Sequence, residues 1–260
     1  MIRSLEVGFI AELLGLHRMR NVFIGALPFE GWACLVPACT LVVLVEISTW
    51  KPWLNQAVDL LDASENERIQ KKRNADDRET LVLAYALHRL LLGQVMGSDA
   101  AAVPLWRDSS GCPRVDDDQV RTSLSHARGW VALAVSAAGP VGVDVEPLGR
   151  LGLLGGLEGQ ICHPSEAALL QGLPESAYKN ALLAVWVRKE AVLKAAGIGL
   201  MHDMNSFVAW PGEVPLPTSA GHVTRVQMLD AGPECAAAVA SVPWLPVRFA
   251  RLVPSRAGMA

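Results

Sequence analysis

Two apolar segments near the middle of the chain constrain its fold most. They read WVALAVS (Trp130–Ser136) and VGVDVEP (Val141–Pro147), and a Gly139-Pro140 turn signal lies between them. Short apolar runs that turn residues bound are typical of buried β-strands. The sequence therefore predicts two adjacent strands, and the flanking segments must supply the elements that cover them.

Helical patterns flank these strands on both sides. TLVLAYALHRLLLGQVMG places Leu83, Leu87 and Leu91 four residues apart, and AYKNALLAVWVRKEAVLKAAG ends at Gly197, a favoured left-handed helix cap. SEAALLQGL is a further predicted helix, LGRLGLLGGLEGQ a predicted loop, and the other predicted strands are TLVVLV, HVTRVQML, ECAAAVAS and PVRFARL. Helices mixed with strands in this order predict an α+β fold.

Composition excludes several classes of protein. The longest apolar run has 15 residues between Glu30 and Glu46 and contains Pro37, whereas a membrane-spanning helix needs about 20 residues. With acidic residues at the N-terminus and no membrane span, we expect a cytoplasmic protein. A net charge of −3 disfavours general nucleic-acid binding, and five cysteines without a CxxC pair indicate neither a disulfide framework nor a zinc site.

Two carboxylates in the second segment are candidates for metal binding. Asp144 and Glu146 are two residues apart, so a strand places them on one face. They repel each other unless a cation lies between them, and Mg²⁺ prefers oxygen ligands. A solvated polar face of an edge strand is the open alternative.

The predicted helix before Gly197 carries a second candidate group. Trp186, Glu190 and Lys194 recur every four residues and therefore share one helix face. Taken alone, Glu190 and Lys194 are best interpreted as an exposed pair, and for Arg188 and Lys189 ordinary surface charges are an equally good interpretation.

A third candidate is the pair Ser125-His126, which we place in a loop just before the predicted strand WVALAVS. A hydroxyl and an imidazole both offer donors to an anion such as phosphate. A histidine with a purely structural role is the alternative.

Together these pieces resemble the 4′-phosphopantetheinyl transferases. The resemblance rests on VGVDVE, on Trp186 42 residues beyond Asp144, on W-x-x-K-E-A-x-x-K and on the preceding Ser-His pair, and it extends from about Leu61 to Ser241. Chain length favours the two-lobed type that is similar to surfactin-synthetase activators. This type implies a monomeric pseudodimer of two similar α/β lobes with the active site in the cleft between them, here residues 36–140 and 141–255, after an N-terminal extension 1–35 of unknown role.

The resemblance implies a reaction and roles for individual residues. Family members transfer phosphopantetheine from coenzyme A to a serine of an apo acyl or peptidyl carrier protein in fatty-acid, polyketide or nonribosomal-peptide synthesis, and release adenosine 3′,5′-bisphosphate. The implied Mg²⁺ ligands are Asp144, Glu146 and Glu190, and the implied catalytic residues are Glu190, Lys194 and Asp144. The implied coenzyme A contacts are Ser125, His126, Arg78, Lys194 and Arg114.

Some positions depart from the family pattern. Cys112 stands where many relatives have the lysine of G-K-P, and Arg114 or Arg107 is the candidate for supplying the missing charge. Two alternatives stay open: a non-catalytic relative that binds carrier proteins, and a Mg²⁺-dependent nuclease. The nuclease motif needs a lysine two residues beyond the second acid, where this chain has Leu148.

Overall fold

A computed structural model describes residues 18–27, 38–117, 119–199, 202–218 and 221–254. Most of the predicted extension 1–35 lies outside these residues, but helix α1 includes residues 18–26. The other helices are α2 (Leu54–Val58), α3 (Ala63–Gln70), α4 (Ala75–Met96), α5 (Leu151–Leu154), α6 (Glu158–Ile161), α7 (Pro164–Leu170) and α8 (Glu175–Ala196). The strands are β1 (Thr40–Glu46), β2 (Leu105–Arg107), β3 (Pro113–Val115), β4 (Arg121–Ala127), β5 (Trp130–Ser136), β6 (Val141–Pro147), β7 (Gly212–Pro215), β8 (Val223–Met228), β9 (Cys235–Ser241) and β10 (Val247–Leu252).

The predicted mixture of helices and strands is confirmed, and two local predictions are wrong. Residues 148–160, predicted as a loop, contain a short 3₁₀ helix and α5 and begin α6. The Ser125-His126 pair lies inside β4, which forms a hairpin with β5. The connecting residues Arg128 and Gly129 both have positive φ, as two-residue hairpin turns require. The turn brings the polar segment 121–127 back alongside β5, and pairing with β5 makes this segment a strand.

Contacts divide the chain into two compact units. The described part of the first unit consists of residues 18–27, 45–103 and 250–254. Its core includes the rings of Phe23, Trp50 and Trp53, whose centroids are 6.2 and 5.6 Å apart in succession, and the buried middle of α4. Arg89 of α4 is buried and forms ion pairs with Asp62 and Glu65 of this unit.

The described part of the second unit consists of residues 38–44, 104–117, 119–199, 202–218 and 221–249, and it contains strands of two four-stranded sheets and a two-stranded hairpin. One sheet has the order β6-β9-β8-β7, the other the order β10-β1-β5-β4, and β2 pairs with β3. The unit boundary passes through β1 and β10. The predicted division into lobes at residue 140 differs from this grouping, and the pseudodimer with its cleft stays a prediction.

Strand β6 has two buried faces, as its period of two dictates. Val141, Val143 and Val145 pack with apolar residues of β1, β5 and β9. On the opposite face, α8 packs against the sheet formed by β6, β9 and β8 through residues such as Val187 and Ala191. Side chains at even positions of β6 therefore lie under α8.

Two serine side chains of β4 form hydrogen bonds with the backbone of β6, although the two strands are not paired with each other in a sheet. The Ser123 hydroxyl accepts a hydrogen bond of 3.1 Å from the Val143 amide, and the Ser125 hydroxyl accepts one of 3.4 Å from the Val145 amide. These bonds satisfy amide groups on the edge of β6 that faces away from β9. They help to explain why β4, β5 and β6 belong to one compact unit.

None of the helices in the described ranges is both long enough and apolar enough to cross a membrane.

Candidate active site

Asp144 and Glu146 lie on the face of β6 that α8 covers. The prediction that they share a face is confirmed, but the solvated-edge alternative is wrong, because only 3% and 7% of their surfaces are exposed. Two buried carboxylates are costly unless positive charge or hydrogen bonds compensate them. Their surroundings therefore determine what this face of the strand can bind.

Gly142 allows α8 to lie directly on this face of β6. A Cβ atom at position 142 would overlap the carbonyl oxygen of Ala191 and the amide nitrogen of Ala195. The close approach places Glu190 and Lys194, which lie near Ala191 and Ala195 in α8, over the same face as Asp144. The helix ends as predicted, with Gly197 at φ +71°.

One carboxylate oxygen of Asp144 accepts hydrogen bonds from two side chains. The Lys194 Nζ atom lies 2.6 Å from Oδ1, and the Ser125 hydroxyl donates to the same Oδ1 at 2.7 Å. Three segments of the second unit, β4, β6 and α8, therefore meet at this carboxylate.

Three buried carboxylate oxygens near this point accept no hydrogen bond. They are Oδ2 of Asp144, Oε2 of Glu146 and Oε1 of Glu190. Burial and the Asp144 charge raise the pKa of Glu146 to about 7, and the same two causes raise the pKa of Glu190 to about 7. The site thus concentrates more negative charge than its own side chains neutralise.

This donor set fits a hard divalent cation. Carboxylate oxygens are the ligands that Mg²⁺ takes in proteins, and a cation would satisfy the three unpaired oxygens and relieve the repulsion. In the described ranges, however, no three His, Cys, Asp or Glu side chains already converge as a metal site.

Arg150 compensates part of the charge on Glu146. Its guanidinium nitrogen lies 2.8 Å from Oε1 of Glu146, and its Cζ atom lies 5.1 Å from the centre of the Trp186 ring. The indole of Trp186 therefore supports the arginine that pairs with Glu146. The sequence motif contains Trp186 but does not reveal this contact.

A cavity of about 490 Å³ borders Glu190 and Lys194, and its lining includes Arg107, Cys112 and Arg114. This volume is in the range of small-molecule sites. Burial and the Asp108 charge raise the pKa of the Cys112 thiol, so this side chain is neutral at physiological pH and supplies no positive charge. The cations in the cavity lining are the two arginines and Lys194.

Asp108 organises the arginine side of the cavity. Its Oδ1 accepts hydrogen bonds from the Ser110 and Cys112 amides, which shapes the turn between β2 and β3, and its Oδ2 lies 2.7 Å from the Arg114 guanidinium. That guanidinium also lies beside the helix-ending Gly197, where a Cβ atom would be 2.6 Å away from it. Arg114 is thus held close to the end of α8.

The remaining predicted coenzyme A contacts have different surroundings. Ser125 is buried against Asp144, while His126 is exposed, since consecutive residues of a strand point to opposite faces. Arg78 belongs to the first unit, where it donates to the carbonyl oxygens of Lys72 and Arg73.

The surface-charge alternative for Arg188 and Lys189 is wrong, because both side chains are buried. Lys189 is fully buried, with Nζ 2.6 Å from Glu166 and hydrogen-bonded to the carbonyl oxygens of Met204 and Phe207. Arg188 donates to the Ala209 carbonyl at 2.6 Å. Both cations fasten the segment 204–209 to α8 next to Glu190.

Comparisons with known proteins confirm the family resemblance. Residues 140–233, which include β6 and α8, match the model of the 4′-phosphopantetheinyl transferase superfamily. The chain is 29% identical over 134 residues to the 4′-phosphopantetheinyl transferase gsp of Aneurinibacillus migulanus, across 52% of this chain and 55% of that protein. It is 26% identical over 184 residues to the 4′-phosphopantetheinyl transferase HetI of Nostoc sp. strain PCC 7120, across 69% of this chain and 78% of that protein.

The match therefore spans about half the length of the first relative and over three quarters of the second. A crystal structure of a holo-(acyl-carrier-protein) synthase from Bacillus anthracis str. Ames in complex with coenzyme A (3′,5′-ADP) superposes with a TM-score of 0.29 at 20% identity. The superposition covers 39% of this chain and 92% of that one.

Proposed function

We propose that this chain, whose residues 140–233 match the 4′-phosphopantetheinyl transferase superfamily, transfers the phosphopantetheine arm of coenzyme A to a serine of an apo carrier protein. One observation carries the proposal. Three buried carboxylates on β6 and α8 each keep an unpaired oxygen, next to Lys194 and a cavity whose lining includes two arginines. Such a site suits a substrate that brings a pyrophosphate and a divalent cation.

Asp144, Glu146 and Glu190 would hold the cation, which we propose to be Mg²⁺. When bound, Mg²⁺ would neutralise negative charge on the pyrophosphate. The unpaired oxygens of the three side chains are the support for this assignment.

Glu190 and Lys194 have separate roles in the proposed transfer. The carrier serine hydroxyl attacks the phosphorus that bears the pantetheine arm, and its proton passes to the Glu190 carboxylate. The bond from this phosphorus to the bridging oxygen breaks, and the electron pair leaves with adenosine 3′,5′-bisphosphate. Lys194, released from Asp144, stabilises the growing charge on the departing phosphate.

The arginines of the cavity are proposed to bind the other phosphate groups of coenzyme A. Arg114 would exchange its carboxylate partner Asp108 for a phosphate, and Arg107 lies in the same lining. This pair would replace the charge that the neutral Cys112 lacks. His126 and Arg78 stay proposed contacts on the basis of the family resemblance.

Calorimetric titration of coenzyme A, with Mg²⁺ and with a chelator, tests the proposal. We expect Mg²⁺ to raise the affinity about tenfold, a coupling of about 1.4 kcal/mol. Glu146→Gln removes one proposed ligand and is expected to abolish most of this gain. Glu213→Gln, an exposed glutamate of the same unit, is the matched control and should keep the gain.

The same titration separates the alternatives. A non-catalytic relative would bind coenzyme A with an affinity that does not depend on the metal. A nuclease would not bind coenzyme A, and either result would contradict the proposed transfer.

A further inference from the structure

The Ser125 hydroxyl forms hydrogen bonds with two neighbouring residues of β6. It donates to Oδ1 of Asp144 at 2.7 Å and accepts from the Val145 amide at 3.4 Å. Ser125 itself is only 6% exposed. Its side chain therefore spans the backbone and the carboxylate of consecutive residues.

These two bonds determine where the hydroxyl hydrogen points. An amide can only donate, so the Val145 amide takes a lone pair of the serine oxygen, and the single hydroxyl hydrogen remains for the carboxylate. A hydrogen bond to a charged acceptor is stronger than a neutral one. Oδ1 of Asp144 is thereby turned toward β4, which leaves Oδ2 as the buried oxygen without a partner.

We infer that Ser125 is a positioning residue, which holds Oδ1 of Asp144 so that Oδ2 stays available to the proposed cation. The inference rests on the proposed function, since it assumes that Asp144 is a metal ligand. It differs from the role that the resemblance implies for Ser125, a direct contact with coenzyme A. Groups that hydrogen-bond to metal ligands fix their orientation, and their loss lowers metal affinity about 10- to 100-fold.

Lys194 does not make this role redundant. Its ammonium group also contacts Oδ1, but the side chain is 22% exposed and reaches the cavity where the pyrophosphate is proposed to bind. In the proposed reaction, Lys194 leaves Asp144 for the substrate. Ser125 is then the donor that still holds Oδ1 in place.

Mn²⁺ binding, followed by the electron paramagnetic resonance signal of free Mn²⁺, tests the inference. The titration is done with coenzyme A and without carrier protein, so that no turnover occurs, and protein-free coenzyme A gives the background. We expect Ser125→Ala to weaken Mn²⁺ binding about 10- to 100-fold. Ser125→Thr keeps the hydroxyl and should restore most of the affinity.

Ser123→Ala is the matched control. Ser123 is two residues earlier in β4 and bonds the Val143 amide in the same way, but no hydrogen bond joins it to Asp144. It also lines the cavity, so Mn²⁺ affinity is compared at saturating coenzyme A, and turnover is not compared. This variant should bind Mn²⁺ like the parent protein.

Binding of adenosine 3′,5′-bisphosphate without metal separates the two roles of Ser125. A positioning role predicts that Ser125→Ala leaves this affinity unchanged. A loss of nucleotide affinity in this variant overturns the inference, whatever its Mn²⁺ affinity. Mn²⁺ affinities that are equal in Ser125→Ala and the parent overturn it while the proposed function stands. A parent protein that binds no Mn²⁺ contradicts both.

Discussion

Glu190→Gln is expected to abolish phosphopantetheine transfer without loss of stability. The variant keeps the shape of the side chain but removes the proposed proton acceptor and one proposed metal ligand. Metal ligation contributes several kcal/mol to such reactions, so we expect kcat to fall at least about 10³-fold. Transfer of a fluorescent coenzyme A derivative to an apo carrier protein measures the effect.

The thermal stability of Glu190→Gln is expected to equal or exceed that of the parent protein. Glu190 is buried beside Asp144, and both burial and this charge raise its pKa to about 7. An amide has no charge to desolvate, so in metal-free buffer the variant should unfold at a temperature no lower than that of the parent. A variant with parental turnover would exclude Glu190 from the reaction.

Gly142→Ala is expected to have the largest effect on the fold. The added methyl group would overlap the backbone of α8 at Ala191 and Ala195, and backbone atoms of a packed helix cannot move aside as a flexible side chain can. We expect the free energy of unfolding to fall by about 3 kcal/mol or more, measured by urea denaturation. Any folded fraction should also have lost activity, because Glu190 and Lys194 lie on the displaced helix.

Gly149→Ala is the matched control for this substitution. A Cβ atom at position 149 would meet no atom within 4 Å. The free energy of unfolding of Gly149→Ala should therefore stay within about 0.5 kcal/mol of that of the parent protein. If Gly142→Ala behaved in the same way, α8 would not depend on this glycine for its approach to β6.

The fold was predictable where apolar runs were continuous. Strands β5 and β6 have the predicted ends because each is a short apolar segment between turn residues. Strand β4 was missed because RTSLSHA is mostly polar and resembles a loop in sequence. Its strand structure depends on pairing with β5 and on the two serine bonds to β6, which are contacts between segments.

The sequence predicted which residues of the candidate site share a strand or helix face, but not which distant residues contact them. A period of two placed Asp144 and Glu146 together, and a period of four placed Glu190 with Lys194. The burial of Lys189 was not predictable, since Glu166 and the carbonyl oxygens that bind it come from segments 15 to 23 residues away. The need for glycine at position 142 was likewise not predictable, because the backbone it contacts belongs to α8, about 50 residues later in the chain.

The central claim is that this chain modifies carrier proteins, and intact-mass measurement tests it most directly. Several apo carrier proteins would each be incubated with the protein, coenzyme A and Mg²⁺, and a parallel set would contain Glu190→Gln. We predict that at least one carrier gains the mass of one phosphopantetheine with the parent protein and none with the variant. Carriers that all keep their apo mass with a folded, coenzyme A-binding parent would contradict the claim.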